Sequence, residues 1–276
     1  MKYLNTQPLV EGLGRLRDVE VKQAVPSKLI GMLLAGEVDV ALASVVDAAK
    51  GGVIALPVGM IGCDGPTLTV RLFSRVPADR IRTIGADTDS HTSVALAQVL
   101  LSRRWGVRVN VADFDARERM MMRVAGAARG AEGVADALLL IGDKVVTDPP
   151  DAVEYPHQMD LGAAWKEMTG LPFVYAVWMC REGEEDSLAV RTAAVVLDRQ
   201  RRHNATRLGW LAAERAGERG WPEGLASRYL RDCLRFAVDA PEREAVEKFI
   251  AWGAELGVCG AGPVRWAEPL RVARAG

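Results

Sequence analysis

The sequence predicts a two-lobed α/β protein, and three observations carry that prediction. Strand and helix patterns alternate through the first half of the chain. Ala137–Ile141 is a continuous apolar run of strand length, as expected of a strand covered on both faces. After residue 183 the strand signals stop and long amphipathic helices follow. The 276 residues suffice for more than one compact unit. With 49% hydrophobic and 26% charged residues, the composition is that of an ordinary soluble globular protein. The 35 basic and 36 acidic residues leave a formal net charge of −1, so no global field draws nucleic acid or an anionic membrane. An anionic ligand must be held by local groups.

The elements follow in order. Val19, Val21 and Val25 alternate with polar or small residues and predict a strand. Pro26-Ser27 then opens a helix in which Leu29, Ile30, Leu33 and Leu34 share helical spacing, and Gly36 suits its left-handed end. Residues 38–42 read as the next strand, which completes a βαβ unit and implies parallel pairing. Further strands are expected at Ile54–Met60, Leu68–Phe73 and Ile81–Ala86. A loop at Asp87–His91 leads to a helix over Thr92–Trp105. Ala116–Gly133 is read as a helix and a glycine-containing loop, with Met120, Met121 and Met122 packing a helix face. Pro149, Pro150 and Pro156 mark a loop. A helix at Leu161–Thr169 and an aromatic, β-branched strand at Phe173–Cys180 follow. Helices are expected over about residues 185–216, 222–236 and 241–256, with a frayed tail at the end.

Two α/β segments joined by crossing strands, then a helical return, point to the type II periplasmic-binding-protein fold, with a central cleft and a hinge of two crossings. The crossings are expected near Thr69–Ser74 and Val174–Arg181. Residues 1–72 and 178–276 then form the first lobe and 73–177 the second.

The N-terminus, MKYLNTQPLVEGL, has no apolar segment of the secretory kind, and no run is long enough to cross a bilayer. Cys63, Cys180, Cys233 and Cys259 form no CxxC pair and read as free thiols. A cytoplasmic location is expected. Asp87, Asp89 and His91 lie in one loop without a distant matching cluster, so they read as a solvated loop rather than a metal site. Gly12-Leu13-Gly14 lacks the third glycine and the strand of a dinucleotide fingerprint. There is no G-x-S-x-G elbow. His157 and His203 read as surface or satisfied residues, and the tryptophans as core, because no basic stripe accompanies them.

Several segments, in order, resemble the chorismate dehydratases of the futalosine route to menaquinone. They are Tyr3-Leu4-Asn5-Thr6 with Pro8-Leu9; Pro26-Ser27 with Leu29 and then Gly36 to Leu42; and Asp64-Gly65-Pro66 with Val70 and Leu72-Phe73-Ser74. Asp89-Ser90-His91-Thr92-Ser93, Ile141-Gly142-Asp143, and Asp160-Leu161-Gly162 through Trp165 to Thr169-Gly170-Leu171-Pro172-Phe173-Val174 complete the set. The resemblance runs from residue 3 to about 256, and the last block is the most specific. It implies the binding-protein fold and conversion of chorismate to 3-[(1-carboxyvinyl)oxy]benzoate and water, with no cofactor. It also implies a strand ahead of Tyr3, where only Met1 and Lys2 stand here. Cys63 replaces a common serine, and His91 a common arginine.

Such a reaction needs orientation, proton transfer and stabilisation of developing charge. Asn5, Asp64 and Thr69 are expected to carry catalysis. Thr6, Cys63, Ser90, Thr92, Ser93 and Asp143 are expected to contact substrate. Asn5 either donates to the leaving hydroxyl or a carboxylate, or satisfies a turn. Asp64 either handles a proton or belongs to an Asp-Gly-Pro turn. The segment Ser90–Ser93 is either an anion site at a helix N-terminus or a plain cap. Asp143 either lines the cleft or caps the next segment. The partner expected is a small molecule, with no nucleic acid or membrane. Two alternatives share the fold: 1,4-dihydroxy-6-naphthoate synthase of the same pathway, and a non-catalytic binder of small carboxylates.

Overall fold

The computed structural model describes residues 3–87, 89–115, 120–121 and 135–268. The chain enters through a 3₁₀ turn at Leu4–Thr6 and a short helix α1 (Gln7–Val10). Helix α2 (Pro26–Leu34), strand β1 (Val40–Ser44), helix α3 (Val45–Ala48) and strand β2 (Val53–Cys63) follow. Next come β3 (Val70–Ser74), β4 (Thr83–Asp87), α4 (His91–Trp105), β5 (Asn110–Asp115) and β6 (Met120–Met121). β7 (Ala137–Ile141), α5 (Lys144–Thr147), β8 (His157–Asp160), α6 (Leu161–Thr169) and β9 (Phe173–Arg181) lead back. The return is α7 (Leu188–Ala205), α8 (Leu208–Ala216), α9 (Glu223–Arg228), a π-helical turn at Tyr229–Cys233, β10 (Leu234–Arg235) and α10 (Ala240–Leu256).

Two sheets divide these elements. The first has order β1-β9-β2-β10 and the second β6-β5-β4-β7-β3-β8. Side chains alternate across the first sheet as the pleat requires. Ala41, Ala43, Val177 and Met179 pack with Leu33 and Phe249 on one face. Leu42, Ala176, Trp178 and Cys180 pack with Val190, Leu197 and Leu211 of α7 and α8 on the other. In the second sheet β4 runs parallel to β5 and β7, and β3 runs antiparallel to β7 and β8. Helix α4 covers one of its faces through Leu96 and Leu100. Phe73, Phe114, Leu138 and Tyr155 form a small cluster on the other.

The chain changes sheet between Cys63 and Val70, and again between Thr169 and Phe173. All of β3 pairs within the second sheet and all of β9 within the first. The boundaries expected at 72/73 and 177/178 therefore fall inside strands, and sheet membership puts the crossings at residues 64–69 and 170–172. Asp160, at the end of β8, ties the first crossing to the start of α6. Its carboxylate accepts from Thr67 N at 2.9 Å and Leu68 N at 2.7 Å, and it caps α6 through Ala163 N at 3.1 Å. Leu68 has φ of 70°, a conformation that side chains rarely adopt, so this double hold keeps the first crossing in a strained turn. Gly162 lies against the same turn, and a Cβ there would collide with Thr67 Oγ1, Cys63 Sγ and Gly65 O. Trp165 donates to Pro172 O at 2.8 Å and packs edge-on against Phe173 and Phe249.

Several expectations need correction. Residues 19–25 are not a strand: they carry no ladder, and Val21 is exposed. Among the described residues β1 also has no partner on its side away from β9. A groove of about 1120 Å³ is lined both by residues 18–23 and by Val38–Leu42, with Thr6 and Gln7, Trp178 and Leu197 also contributing. An alternating segment forms a strand only when an edge lies within pairing distance, and here the groove stands between residues 18–23 and the edge of β1.

Within 116–133, only Met120–Met121 is described. It is a short strand paired with Phe114–Asp115 rather than part of a helix. Met122, the rest of that segment and the tail beyond residue 268 lie outside the described residues. The region 185–216 splits into α7 and α8 at Thr206–Arg207, and 222–236 ends in the π turn and β10. β5 and β8 were hidden by mixed polarity.

Candidate functional site

Five segments converge between the sheets: the N-terminal turn, the start of α3, the entry to α4, the turn after β7, and the π turn. Each contact follows from a local structural need. The first turn of any helix leaves backbone N–H groups unpaired. At the N-terminal turn one is taken by Asp143, whose oxygens accept from Leu4 N at 3.1 and 3.3 Å. The Tyr3 hydroxyl donates to Asp89, just ahead of α4, and the Tyr3 ring lies over Gly142, whose φ of 72° and missing side chain permit the approach. Gly142 N donates to Thr69 O at 2.8 Å. Thr69 Oγ1 lies 2.6 Å from the Tyr229 hydroxyl, and both residues are buried. Burial, first of all, pushes the Tyr229 phenol far above its ordinary value, so it is protonated at every working pH.

At α4, Ser90 is the N-cap, accepting from Ser93 N at 3.3 Å, and the two hydroxyls are 3.1 Å apart. Thr92 Oγ1 is fully buried and has no hydrogen-bond partner among the described residues. Asn5 Oδ1 is likewise buried and unpartnered. Buried polar atoms are normally satisfied, so two such atoms on segments joined by the Tyr3–Asp89 bond mark places for ligand groups. Lys144 is spoken for: it pairs with Asp87, and its Nζ lies 3.6 Å from Asp89. Burial raises the carboxyl of Asp87 above its usual range even beside that lysine, and burial does the same to Asp143. An anion entering here would meet the α4 N-terminus and neutral donors, since Lys144 is already paired.

Across the lobes His91, the first residue of α4, faces Asp47 of α3, with Nδ1 3.1 and 3.2 Å from its two oxygens. Lys50 adds a bond of 2.7 Å to the same carboxylate. Burial opposes the charge on Asp47. The hydrogen bonds from His91 and Lys50, with the charge of each, overcome that and hold its pKa below the ordinary 3.8. A depressed carboxyl contributes stability above its unfolded value and loses it as pH falls through the folded one. The wild-type melting temperature is therefore expected to drop steeply below pH 3.8. Asp47→Asn should be about 2 kcal/mol less stable at pH 7, a typical loss for charged hydrogen bonds, and flatter in acid. Thermal melts from pH 7 to 3 check both.

The expected site residues thus divide. Asn5, Thr69, Ser90, Thr92, Ser93 and Asp143 come together. Asp64 does not: it is exposed and paired with Lys166 of α6 at 2.6 Å. Thr6 is buried, with its hydroxyl donating back to Tyr3 O at 2.8 Å. Cys63 is buried and accepts from Thr67 Oγ1 at 3.1 Å, and that hydroxyl is 2.6 Å from Tyr175. Burial pushes the Cys63 thiol up to about 11, which keeps it protonated and unreactive. Tyr229 was missed. Its only signal in the sequence was an aromatic in a helix otherwise patterned for packing.

The family described as menaquinone biosynthesis matches residues 1–255. The chain is 30% identical over 264 residues to the chorismate dehydratase of Thermus thermophilus, covering 90% of this chain and 91% of that one. Among solved structures it is similar to the CA3427 gene product of Candida albicans, described as having the generic periplasmic binding protein fold. The TM-score is 0.59 at 13% identity, over 97% of this chain and 95% of the other. It is also similar to the alkanesulfonate-binding protein SsuA of Xanthomonas axonopodis pv. citri bound to MOPS, with a TM-score of 0.58 at 14% identity, over 95% and 93%. At such identities the likeness is one of fold, and the fold is the periplasmic-binding-protein fold that the sequence predicts.

Proposed function

We propose that this chain, which belongs to the menaquinone biosynthesis family, is a chorismate dehydratase that converts chorismate to 3-[(1-carboxyvinyl)oxy]benzoate and water. The likeness to the Thermus thermophilus enzyme over nine-tenths of the chain supports the substrate. The observation that carries the reading is the pair of buried, unpartnered atoms, Asn5 Oδ1 and Thr92 Oγ1. Thr92, with the N-terminus of α4, suits a carboxylate of the dianion, and Asn5 Oδ1 suits its ring hydroxyl.

One ring C–H bond and the C–O bond of that hydroxyl break, the proton and the hydroxyl leave together as water, and the ring becomes aromatic. Aromatisation supplies the driving force, so the protein needs to orient the ring and exclude solvent more than to supply a strong base. No histidine or lysine free for that purpose stands among the described residues at the site. We therefore assign the ring proton to a carboxylate of the substrate itself. An analogue without the enolpyruvyl carboxylate should react at least about a hundredfold more slowly, as general-base loss predicts; full rate with it would defeat the assignment.

The test of the function is to incubate the full chain with chorismate and follow the products by chromatography and mass. Loss of one water to an aromatic product is expected. Binding without turnover would favour a carboxylate-binding protein on the same fold.

A further inference from the structure

Asp143 stands where a helix cap belongs but does not cap its own helix. It is the N-cap residue of α5, and its side chain makes no capping bond there. An aspartate so placed ordinarily accepts from an N–H of its own first turn. Here the carboxylate turns to a segment 139 residues away in sequence and accepts from Leu4 N at 3.1 and 3.3 Å. Leu4 opens the N-terminal 3₁₀ turn, whose own N-cap residue, Tyr3, supplies no side-chain cap. Asp143 therefore caps, from the second lobe, a turn that lacks a cap of its own.

The peptide between Tyr3 and Leu4 is held at both of its polar atoms. Its N–H goes to Asp143, and its carbonyl, Tyr3 O, accepts from Thr6 Oγ1 at 2.8 Å. A planar peptide gripped at both atoms has a fixed orientation, which limits how the chain can enter Asn5. The flanks of Asn5 are anchored in different lobes. Ahead of it, the second lobe adds the bond from the Tyr3 hydroxyl to Asp89 and the seat of the Tyr3 ring over Gly142. Behind it, the helical return holds the end of α1. Asn204 of α7, fully buried, donates to Pro8 O at 3.2 Å and Glu11 O at 3.0 Å. Arg215 of α8 donates to both oxygens of the Glu11 carboxylate, at 2.9 and 3.0 Å. The segment from Tyr3 to Glu11 is thus a strap between the lobes. Asn5 lies between its two anchorages, with Oδ1 buried and unpartnered among the described residues.

We propose that Asp143 is a positioning residue: it holds Leu4 N from the second lobe and so sets Asn5 to meet the substrate's leaving hydroxyl, without touching the substrate itself. This rests on the function proposed above. The carboxylate serves as an acceptor for backbone, neither as a base nor as a contact for the dianion, whose charge it would repel. The expectation that Asp143 contacts substrate is replaced by this indirect role. Because the grip comes from the opposite lobe, Asn5 is set when the lobes are together.

The test compares wild type, Asp143→Ala, Asp143→Asn, Asn5→Ala and the Asp143→Ala/Asn5→Ala double variant, all as full chains with chorismate. Asp143→Ala should lower kcat roughly 10- to 100-fold with KM within about threefold, the cost of a small misplacement at the reacting atoms. Asp143→Asn removes the charge and keeps an oxygen that can accept from Leu4 N, so its kcat should stay within about fivefold of wild type. In the Asn5→Ala background Asp143→Ala should cost nothing further, because the two act as a unit. An asparagine variant as slow as the alanine variant would make the charge itself the working part and overturn the proposal. Multiplying losses, or a fall in kcat matched by a fall in folded fraction, would do the same. Crystal structures of wild type and Asp143→Ala test the positioning without turnover: the Leu4–Asn5 backbone should move and carry the Asn5 side chain with it, and an unmoved Asn5 would also overturn the proposal. Failure of the wild type to dehydrate chorismate would count against the function, and the crystal comparison would still decide whether Asp143 sets Asn5.

Discussion

Asn5→Ala is expected to lower kcat/KM for chorismate roughly 100- to 1000-fold, the range seen when one precisely placed polar group is removed from a desolvated site. The loss should fall mainly on kcat. Asn5 Oδ1 makes no hydrogen bond among the described residues, so its removal strands no partner there, and melting should move by no more than a few degrees. Asn5→Asp is the sharper comparison, because it keeps the shape. It exchanges a neutral amide for an anion, one residue from the Leu4–Asp143 bond and facing the dianionic substrate proposed above. It should be at least as slow as the alanine variant and bind chorismate more weakly. Steady-state kinetics with calorimetric binding measures both. A threefold effect or less from Asn5→Ala would remove Asn5 from the chemistry.

How far the sequence disclosed this site depends on what each residue does. Asn5, Thr92 and Ser93 entered the candidate site through the family resemblance, because by spacing alone a turn asparagine and a helix cap serve ordinary structural ends. The specific block from Asp160 to Val174 pointed to the right family, yet its residues build the hinge. Asp160 pins Thr67 and Leu68, Gly162 makes room for Thr67 and Cys63, and Trp165 packs against Phe173. A specific motif can thus record a packing constraint as strict as any catalytic one. Asp64 misled for the opposite reason: Asp-Gly-Pro is turn chemistry, and its carboxylate faces Lys166. Tyr229 was illegible because a buried tyrosine and a core tyrosine look alike until a partner such as Thr69, far away in sequence, is placed beside its hydroxyl. The fold was clearer, since burial periodicity is local. The error at 19–25 arose because strand formation depends on a neighbouring edge that no window of sequence shows.

A designed heptapeptide of alternating valine and threonine, joined directly ahead of Met1, is expected to raise the melting temperature by roughly 5–10 °C, the shift that about 2–3 kcal/mol produces in a chain of this size. The groove beside β1 has the features a strand needs. The free edge of β1 offers unpaired backbone groups on one side, and the extended, unpaired residues 19–23 line the other. Leu42, Trp178 and Leu197 line it, as do Thr6 and Gln7. Each inward valine removes apolar surface worth about 1.5–3 kcal/mol, against an ordering cost of about 1–2 kcal/mol for each residue fixed. The two new ladders add to the favourable side, because an open edge is the least stable part of a sheet. Amide exchange in residues 19–25 and 40–44 should slow together. The same peptide with proline at alternate positions should do neither, since proline cannot donate to a ladder. Equal melting temperatures for the valine and proline versions would show that the groove does not accept a strand.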